Sequence, residues 1–168
     1  MTQGFRIEAL TQAHDRKTFF CGVEPLDRYF RELVGQDIKR RICNCFVALD
    51  ASGVIAGYYT FAATSLPLTE LPADVTKRLP RYPIVPAGLI GRLAVAEGFR
   101  GKGFGSALVV DAAVRAARSD PAIFTLVVDA KDAAASAFYE RHGFRHLASK
   151  PDSLFLPIVA ALSALDAK

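Results

Sequence analysis

A glycine-rich loop from Arg100 to Gly105 has residue types and spacing suited to binding an anion. An apolar strand predicted over 89–95 leads into the loop, and a helix predicted over about 106–118 follows it. Glycine lets the backbone approach an anion closely, and the positive end of the helix dipole, with its first N–H groups, favours negative charge. Arg100 and Lys102 add positive charge. The pattern predicts a phosphate cradle; a simple turn is the alternative interpretation.

The loop differs from the two common nucleotide-binding loops. It lacks the terminal Lys-Ser/Thr of a P-loop and the third glycine of a Rossmann fingerprint. It resembles instead the acetyl-CoA-binding segment of the GCN5-related N-acetyltransferases (GNATs), Q/R-x-x-G-x-G/A, which Arg100, Gly103 and Gly105 fill. The resemblance implies that the loop binds the pyrophosphate of coenzyme A and that the preceding strand offers its backbone to the pantetheine arm and the acetyl carbonyl. The residues implied are Leu93, Ala94, Val95, Arg100, Gly101, Lys102, Gly103, Phe104, Gly105 and Ser106.

A second stretch, 135–144, resembles the last motif of the same family, N-x-x-A-x-x-x-Y-x-x-x-G-F. Tyr139, Gly143 and Phe144 align with it, and Asp132 stands where the family commonly has asparagine. The resemblance implies that Tyr139 is the catalytic residue, which returns a proton to the leaving thiolate, and that Asp132 is among the cofactor-binding residues. A phenol with a pKa of about 10 holds its proton at neutral pH, as such a donor must. A packed core tyrosine is the alternative interpretation.

No general base is evident in the sequence. A backbone N–H near Val95 is expected to stabilise the oxyanion of the reaction. The three histidines, His14, His142 and His146, do not stand where the family motif has a base. An alkyl amine with a pKa of about 10.4 must lose a proton before it attacks, whereas an α-amino group with a pKa of about 8 is already partly neutral at pH 7. The missing base therefore predicts a substrate with a weakly basic amine.

Four shorter stretches resemble one branch of the superfamily, the acetyltransferase toxins of bacterial toxin–antitoxin systems, which acetylate the amino acid carried on transfer RNA. They are Phe19-x-Cys21-Gly22 with Leu26-Asp27-x-Tyr29-Phe30, Gly57-Tyr58-Tyr59-Thr60-Phe61, Tyr82-Pro83-x-x-Pro86 before Gly91-Arg92-Leu93-Ala94-Val95, and Leu154-Phe155-Leu156-Pro157. The resemblance implies an aminoacyl-tRNA substrate, acetyl-CoA as the acetyl donor, a cognate ribbon-helix-helix antitoxin and a homodimer.

Basic side chains are the expected contacts for such a substrate, because transfer RNA is a polyanion that proteins hold through Lys and Arg contacts with phosphates. Arg92 is the strongest candidate, since it flanks the strand implied to hold the acetyl group. A salt bridge or an ordinary solvated charge is the alternative for each residue. The predicted tRNA-binding residues are Arg92, Arg78, Arg81, Lys39 and Arg40, and weaker candidates are Arg28, Arg31, Arg41 and Lys77.

Hydrophobic patterning indicates the elements that position these residues. Strands are predicted over 5–10, 45–49, 54–63, 89–95, 122–129, 144–148 and 153–158, and helices over 26–39, 73–79, 106–118 and 132–141. The strand over 122–129 is expected to be buried, Asp132 is the expected N-cap of the last helix, and Gly143 is its expected stop. The second and third strands are expected to form an antiparallel hairpin, and the prolines of 66–86 leave room for only one short helix. The order predicts an α/β (α+β) fold, and the resemblance implies a single GNAT domain over 1–168, with a mixed, mostly antiparallel central sheet and helices on both faces.

Composition excludes several other classes of protein. The 168 residues are 51% apolar and 23% charged with a net charge of +4, which suits one globular core and a mildly basic surface. Three cysteines form neither a disulfide framework nor a zinc spacing, so no metal is expected. We expect a cytoplasmic protein without membrane contact, because no signal peptide or membrane span is recognisable.

Three functions are compatible with the sequence. The first is a toxin that acetylates the α-amino group of an aminoacyl-tRNA and so blocks translation. The second is an ordinary acetyltransferase that acts on a small-molecule or protein amine. The third is a module that binds coenzyme A without chemistry, against which the presence of Tyr139 argues.

Overall fold

The structure, a computed structural model, describes residues 4–166, which contain seven strands and six α-helices. The strands are β1 (Arg6–Ala9), β2 (Asn44–Leu49), β3 (Ile55–Pro67), β4 (Ile84–Val95), β5 (Thr125–Asp129), β6 (Arg145–His146) and β7 (Ser153–Pro157). The helices are α1 (Glu24–Arg28), α2 (Val34–Lys39), α3 (Ala73–Thr76), α4 (Phe104–Ala117), α5 (Ala133–Arg141) and α6 (Ile158–Asp166). A π-helical turn, Tyr29–Leu33, joins α1 to α2, and 3₁₀ turns lie at Leu68–Glu70 and Glu97–Phe99.

The strands form one sheet in the order β1-β2-β3-β4-β5-β7-β6. Strands β4 and β5 are parallel, whereas the pairs β1–β2, β2–β3, β5–β7 and β6–β7 are antiparallel. The predicted mixed, mostly antiparallel sheet with helices is therefore confirmed. The described residues group into two compact units, one made of 4–62 and 91–112 and the other of 63–90 and 113–166.

The first unit contains the predicted hairpin of β2 and β3, in which Val47 pairs with Tyr58. The segment predicted as a helix over 26–39 is helical over 24–39, with the π-helical turn in its middle. Its apolar side chains pack on the hairpin: the ring of Phe30 stacks on Tyr58 at 4.2 Å between centroids, and Phe19 meets both rings edge-on. This aromatic cluster is almost fully buried and forms the core of the unit.

The second unit is built around β5, which pairs in parallel with residues 87–90 of β4 and antiparallel with β7. Side chains 125–128 of β5 are all buried, as predicted for a strand covered on both faces. Its apolar core includes Val85, Val127 and Phe155.

Two elements differ from the prediction. The connector 66–86 contains the one short α-helix predicted there, α3, but β3 continues to Pro67 and β4 already begins at Ile84. A strand tolerates Pro86 because proline lacks only the donor: its carbonyl oxygen accepts a hydrogen bond from the N–H of Phe124 at 2.9 Å. The sequence predicts only a strand over 153–158 at this end, whereas β7 ends at Pro157 and helix α6 follows it.

Candidate functional site

The glycine loop of the first unit has a backbone that only glycine adopts easily. Gly101 has a φ of +74° and Gly103 a φ of +86°, and a Cβ atom added to either residue would have no heavy atom within 4 Å. Helix α4 begins directly after the loop, and its first backbone bond joins the N–H of Ala107 to the oxygen of Gly103 at 3.0 Å. The N–H groups of the first turn have no acceptor within the helix. Open space beside left-handed glycines and a helix N-terminus fits the phosphates of a nucleotide cofactor.

The loop is held in place by contacts with the segment 19–27. The guanidinium of Arg100 donates a hydrogen bond to the carbonyl oxygen of Cys21. The carboxylate of Asp27, fully buried, accepts hydrogen bonds from the N–H groups of Cys21 at 2.7 Å and Gly22 at 3.3 Å. The side chain of Arg100 therefore fixes the loop to the segment 19–27. Sequence reasoning missed the role of Asp27, although the residue belongs to one of the stretches that carry the resemblance.

The strand residues before the loop come close to the neighbouring hairpin strand. A Cβ atom at Gly57 would lie 2.8 Å from the carbonyl oxygen of Ala94 and 3.1 Å from Cδ1 of Leu108, so only glycine fits there. The N–H of Ala96 donates to the oxygen of Ala56 at 2.8 Å. These contacts fix the backbone of 93–95, the residues that the family resemblance implies contact the pantetheine arm and the acetyl carbonyl.

Arg92 is held by the helical segment of the same unit. Its guanidinium carbon lies 3.6 Å from the centroid of the Tyr29 ring, and its backbone N–H donates to Oγ1 of Thr60 at 3.0 Å. The hydroxyl of Tyr29 donates to Oδ2 of Asp37 at 2.6 Å. The sequence predicts Arg92 as a tRNA-binding residue, but it does not predict the roles of Tyr29 and Asp37.

Tyr139 lies in the second unit, in the last turn of α5, and its backbone is fixed by the two caps of that helix. Asp132 caps the N-terminus by accepting the N–H of Ala135 at 2.8 Å, as predicted. At the other end Gly143, with a φ of +92°, forms a Schellman motif: its N–H donates to the oxygen of Glu140, and the N–H of Phe144 donates to the oxygen of Tyr139. The predicted stop at Gly143 is thus confirmed.

The phenol of Tyr139 is buried beside two aromatic rings, Phe138 and Phe144, with centroid distances of 5.2 Å and 5.3 Å. Burial, and to a lesser extent the negative charge of Asp129, raises the pKa of Tyr139 to about 12. The hydroxyl therefore stays protonated throughout the neutral and mildly alkaline range.

Asp132 also binds Lys131, whose Nζ lies 2.7 Å from Oδ2. This hydrogen bond, together with the N–H of Ala135, keeps the pKa of Asp132 below its usual range. One carboxylate oxygen of Asp132 thus caps the helix, and the other accepts a hydrogen bond from Lys131. A cofactor group that bound Asp132 would have to compete with Lys131 for the second oxygen.

The other predicted tRNA-binding residues are exposed. Lys39 and Arg40 lie at the C-terminal end of α2 in the first unit, and Arg78 and Arg81 follow α3 in the second. Within the described residues these four cations form no ion pair with a carboxylate.

The three histidines are engaged in local contacts. Nε2 of His14 lies 2.8 Å from Glu8, Nδ1 of His142 lies 2.9 Å from the oxygen of Phe138, and Nδ1 of His146 lies 2.6 Å from the oxygen of Pro151. Across 4–166 no group of three His, Cys, Asp or Glu side chains is arranged to hold a metal ion. In the same part of the chain no helix is both long enough and apolar enough to span a membrane.

Comparison with known proteins places this geometry in context. Residues 41–146 match the acetyltransferase (GNAT) domain family. The chain is 30% identical over 149 residues to a tRNA-acetylating toxin of Mycobacterium tuberculosis, with 88% of each chain covered. It is 28% identical over 162 residues to a probable toxin TacT of Sinorhizobium fredii, with 90% of each covered.

The solved structure of AtaT complexed with acetyl-methionyl-tRNAfMet superposes with a TM-score of 0.86 at 27% identity, covering 96% of this chain and 99% of AtaT. An AtaT Y144F mutant bound to the C-terminus of the antitoxin AtaR and acetyl-CoA has the same fold, with a TM-score of 0.79 at 24% identity; 96% of this chain and 98% of that one are covered. The resemblance drawn from the sequence motifs is confirmed.

Proposed function

Because the chain belongs to the GNAT acetyltransferase family, we propose that it is a toxin that transfers the acetyl group of acetyl-CoA to the α-amino group of an aminoacyl-tRNA and so blocks translation. The observation that carries this proposal is the similarity to a tRNA-acetylating toxin, which extends over 88% of both chains. The proposal also agrees with the weakly basic amine that the sequence predicts for the substrate.

Acetyl-CoA supplies an acetyl group on a thioester, which an amine attacks directly. The loop residues Gly101 to Ser106 and the charge of Arg100 and Lys102 are proposed to hold the phosphates. The backbone of Leu93, Ala94 and Val95 is proposed to hold the pantetheine arm and the acetyl oxygen. The left-handed glycines and the open space beside them support this assignment.

Tyr139 is proposed to give its proton to the leaving thiolate. A phenol whose pKa is raised to about 12 is protonated at neutral pH, so it can give its proton to the sulfur as the C–S bond breaks. The attacking amine becomes an ammonium and releases a proton, which restores the phenol and completes the proton balance. Hydrogen bonds at both ends of α5 fix the helix that carries Tyr139, as a pre-positioned proton donor requires.

The substrate amine must be able to attack without a strong base. His14, His142 and His146 are each engaged with a neighbouring carboxylate or carbonyl oxygen. The α-amino group of an aminoacyl ester has a pKa of about 8 or lower, so a sufficient fraction is neutral at pH 7. An alkyl amine such as a lysine side chain is almost entirely charged at this pH and suits the site less well.

Transfer RNA is proposed to bind through Arg92, Arg78, Arg81, Lys39 and Arg40. Four of these cations are exposed and without carboxylate partners among the described residues, as phosphate contacts require. We further propose that the chain works in the cytoplasm as a single N-acetyltransferase domain, that it forms a homodimer, and that a ribbon-helix-helix antitoxin restrains it.

The direct test supplies labelled acetyl-CoA to the purified chain with total charged tRNA. Deacylated tRNA, free amines and peptides are tested in parallel. We expect label only in charged tRNA, released by mild base as an acetyl-amino acid, which also identifies the amino acid. Label in amines or peptides alone would replace the toxin with an ordinary acetyltransferase, and acetyl-CoA binding without any transfer would replace it with a binding module.

A further inference from the structure

Arg92 differs from the other arginines that contact the core of the first unit. Arg16 donates to the carbonyl oxygen of Phe30 at 2.8 Å, Arg31 donates to that of Asp27 at 3.3 Å, and Arg100 donates to that of Cys21. The guanidinium of Arg92 instead lies over the ring of Tyr29, and no carboxylate or carbonyl within the described residues binds it. A guanidinium stacked by its face keeps its in-plane N–H groups available for another acceptor.

The ring beneath Arg92 is itself fixed. Tyr29 is only 4% exposed, and its hydroxyl donates to Asp37 at 2.6 Å, with Sγ of Cys43 3.5 Å away. Burial, and then the hydrogen bond to the Asp37 carboxylate, raises the pKa of the Tyr29 phenol well above its usual range, so the donor does not ionise. A phenol that donates to a carboxylate carries more electron density in its ring, which strengthens the attraction for a cation on its face.

The π-helical turn that contains Tyr29 is a further sign of a specialised position. The N–H of Val34 donates to the oxygen of Tyr29, five residues earlier, where an α-helix would bond four residues apart. Such single π turns are uncommon and are frequent at functional sites. Here the turn lies at the one tyrosine of the helical segment, which faces Arg92 on one side of its ring and Asp37 at its hydroxyl.

From this geometry we infer that Tyr29 and Asp37 are positioning residues, which hold the Arg92 guanidinium ready to bind a backbone phosphate near the 3′ end of charged tRNA. The planar guanidinium matches a phosphate with two parallel N–H donors. A pre-stacked arginine loses less side-chain freedom when the phosphate arrives than an arginine in solvent does. This inference rests on the proposed function, because it assigns the acceptor that Arg92 meets.

The test uses two variants of Tyr29 that leave the net charge unchanged and one variant of Arg92 that removes the cation. Tyr29→Leu removes the stacked ring, Tyr29→Phe keeps the ring and removes the bond to Asp37, and Arg92→Ala removes the cation. Initial rates of acetyl transfer to charged tRNA are measured at several salt concentrations, with an aminoacyl-nucleoside that lacks phosphate as a second acceptor. The affinity for acetyl-CoA and the thermal midpoint are measured for each variant.

We expect Tyr29→Leu to raise KM for charged tRNA about tenfold and Tyr29→Phe to raise it about threefold, with kcat changed less. The slope of log KM against log salt should fall by about one in both Tyr29→Leu and Arg92→Ala, because each loses one phosphate contact. Tyr29→Leu removes no charge, so a change in the salt slope of this variant would not be expected if Tyr29 had only a structural role. The double variant should be no worse than Arg92→Ala.

Phe30→Leu is the matched control, since Phe30 is a buried ring of the same π-helical turn and belongs to the aromatic cluster with Phe19 and Tyr58. It should lose stability while keeping the wild-type salt slope. A wild-type slope in Tyr29→Leu would overturn the inference, and so would an equal loss with the aminoacyl-nucleoside. A weaker acetyl-CoA affinity in both Tyr29→Leu and Arg92→Ala would also overturn it, because Arg92 would then bind a phosphate of the coenzyme instead of a phosphate of tRNA. If the wild-type chain acetylates no charged tRNA, the proposed function itself fails.

Discussion

Tyr139 combines two properties that a proton donor needs, a fixed backbone and a phenol that does not ionise near neutral pH. The Schellman motif at Gly143 fixes the last turn of α5, and the ring of Phe144, the next residue, packs on the ring of Tyr139. The burial that raises the pKa of the phenol also restricts its side-chain rotamers.

Tyr139→Phe should lower kcat for acetyl transfer about 100-fold and leave the acetyl-CoA dissociation constant within about twofold of wild type, because only the proton donor is lost. Steady-state kinetics and calorimetric titration with acetyl-CoA measure the two quantities. Tyr82→Phe, which removes the hydroxyl of a tyrosine that is 67% exposed in the same unit, should change neither. An equal loss of binding and turnover in Tyr139→Phe would assign the residue to cofactor binding.

The pH dependence of the reaction follows from the direction of the Tyr139 shift. A donor whose pKa is raised to about 12 keeps its proton to higher pH than a free phenol does, so it imposes no alkaline decline below about pH 11. The rate should rise as the substrate amine loses its proton, level off above about pH 8, and stay level to about pH 10. Rapid-quench rates, corrected for spontaneous ester hydrolysis, give the profile. A decline centred near pH 10 would show an unshifted phenol and contradict this account.

The loop before α4 depends on two glycines in the left-handed region, Gly101 and Gly103. Gly103→Ala should weaken acetyl-CoA binding about tenfold, because a side chain at a φ of +86° strains the loop and its Cβ occupies the open space proposed for the phosphates. Gly98→Ala is the matched control: that glycine has an ordinary φ, and an added Cβ would have no heavy atom within 4 Å. Calorimetric titration of both variants with acetyl-CoA decides the matter, and similar affinities in the two would remove the loop from the binding site.

Local signals in the sequence were sufficient for the elements that carry their own caps. Asp132 and Gly143 delimit α5 as predicted, and the glycine loop leads into a helix that starts at Phe104 instead of about 106. The predictions are wrong beside two prolines: Pro86 lies inside β4, which is predicted to begin only at 89, and α6, which is not predicted, begins directly after Pro157. In both places the missing N–H does not interrupt the structure, and the tertiary contacts that decide this are invisible in a pattern of residue types.

Some residues of the candidate site could be predicted from the sequence, and others could not. Motifs of fixed spacing identified the loop and Tyr139, whose roles stay predictions until the variants are measured. The stacking of Arg92 on Tyr29 and the hydrogen bond from Arg100 to the carbonyl oxygen of Cys21 join segments far apart in the chain. Such contacts follow from the fold and could not be predicted from composition or periodicity.

Two sources of attraction for tRNA can be distinguished in this protein, its net charge and individual phosphate-binding cations. The chain has 21 Lys and Arg against 17 Asp and Glu, so the net charge of +4 gives only a weak general attraction. Phosphate contacts release counterions one by one, whereas a general field acts through the total charge. Removing the same number of charges from different places separates the two.

The pair Lys39→Ala and Arg40→Ala should raise KM for charged tRNA about tenfold near 0.1 M salt and lower the salt slope by one to about two, because it removes two proposed phosphate contacts. The pair Lys17→Ala and Lys150→Ala removes the same charge from exposed positions outside the proposed set and should leave the slope unchanged. Acetyl-transfer rates between about 50 and about 200 mM salt measure the slopes. Equal effects of the two pairs would mean that the molecule attracts tRNA by its overall field, and Lys39 and Arg40 would then be ordinary solvated charges. A loss confined to the first pair would instead make the C-terminal end of α2 part of the surface that binds tRNA.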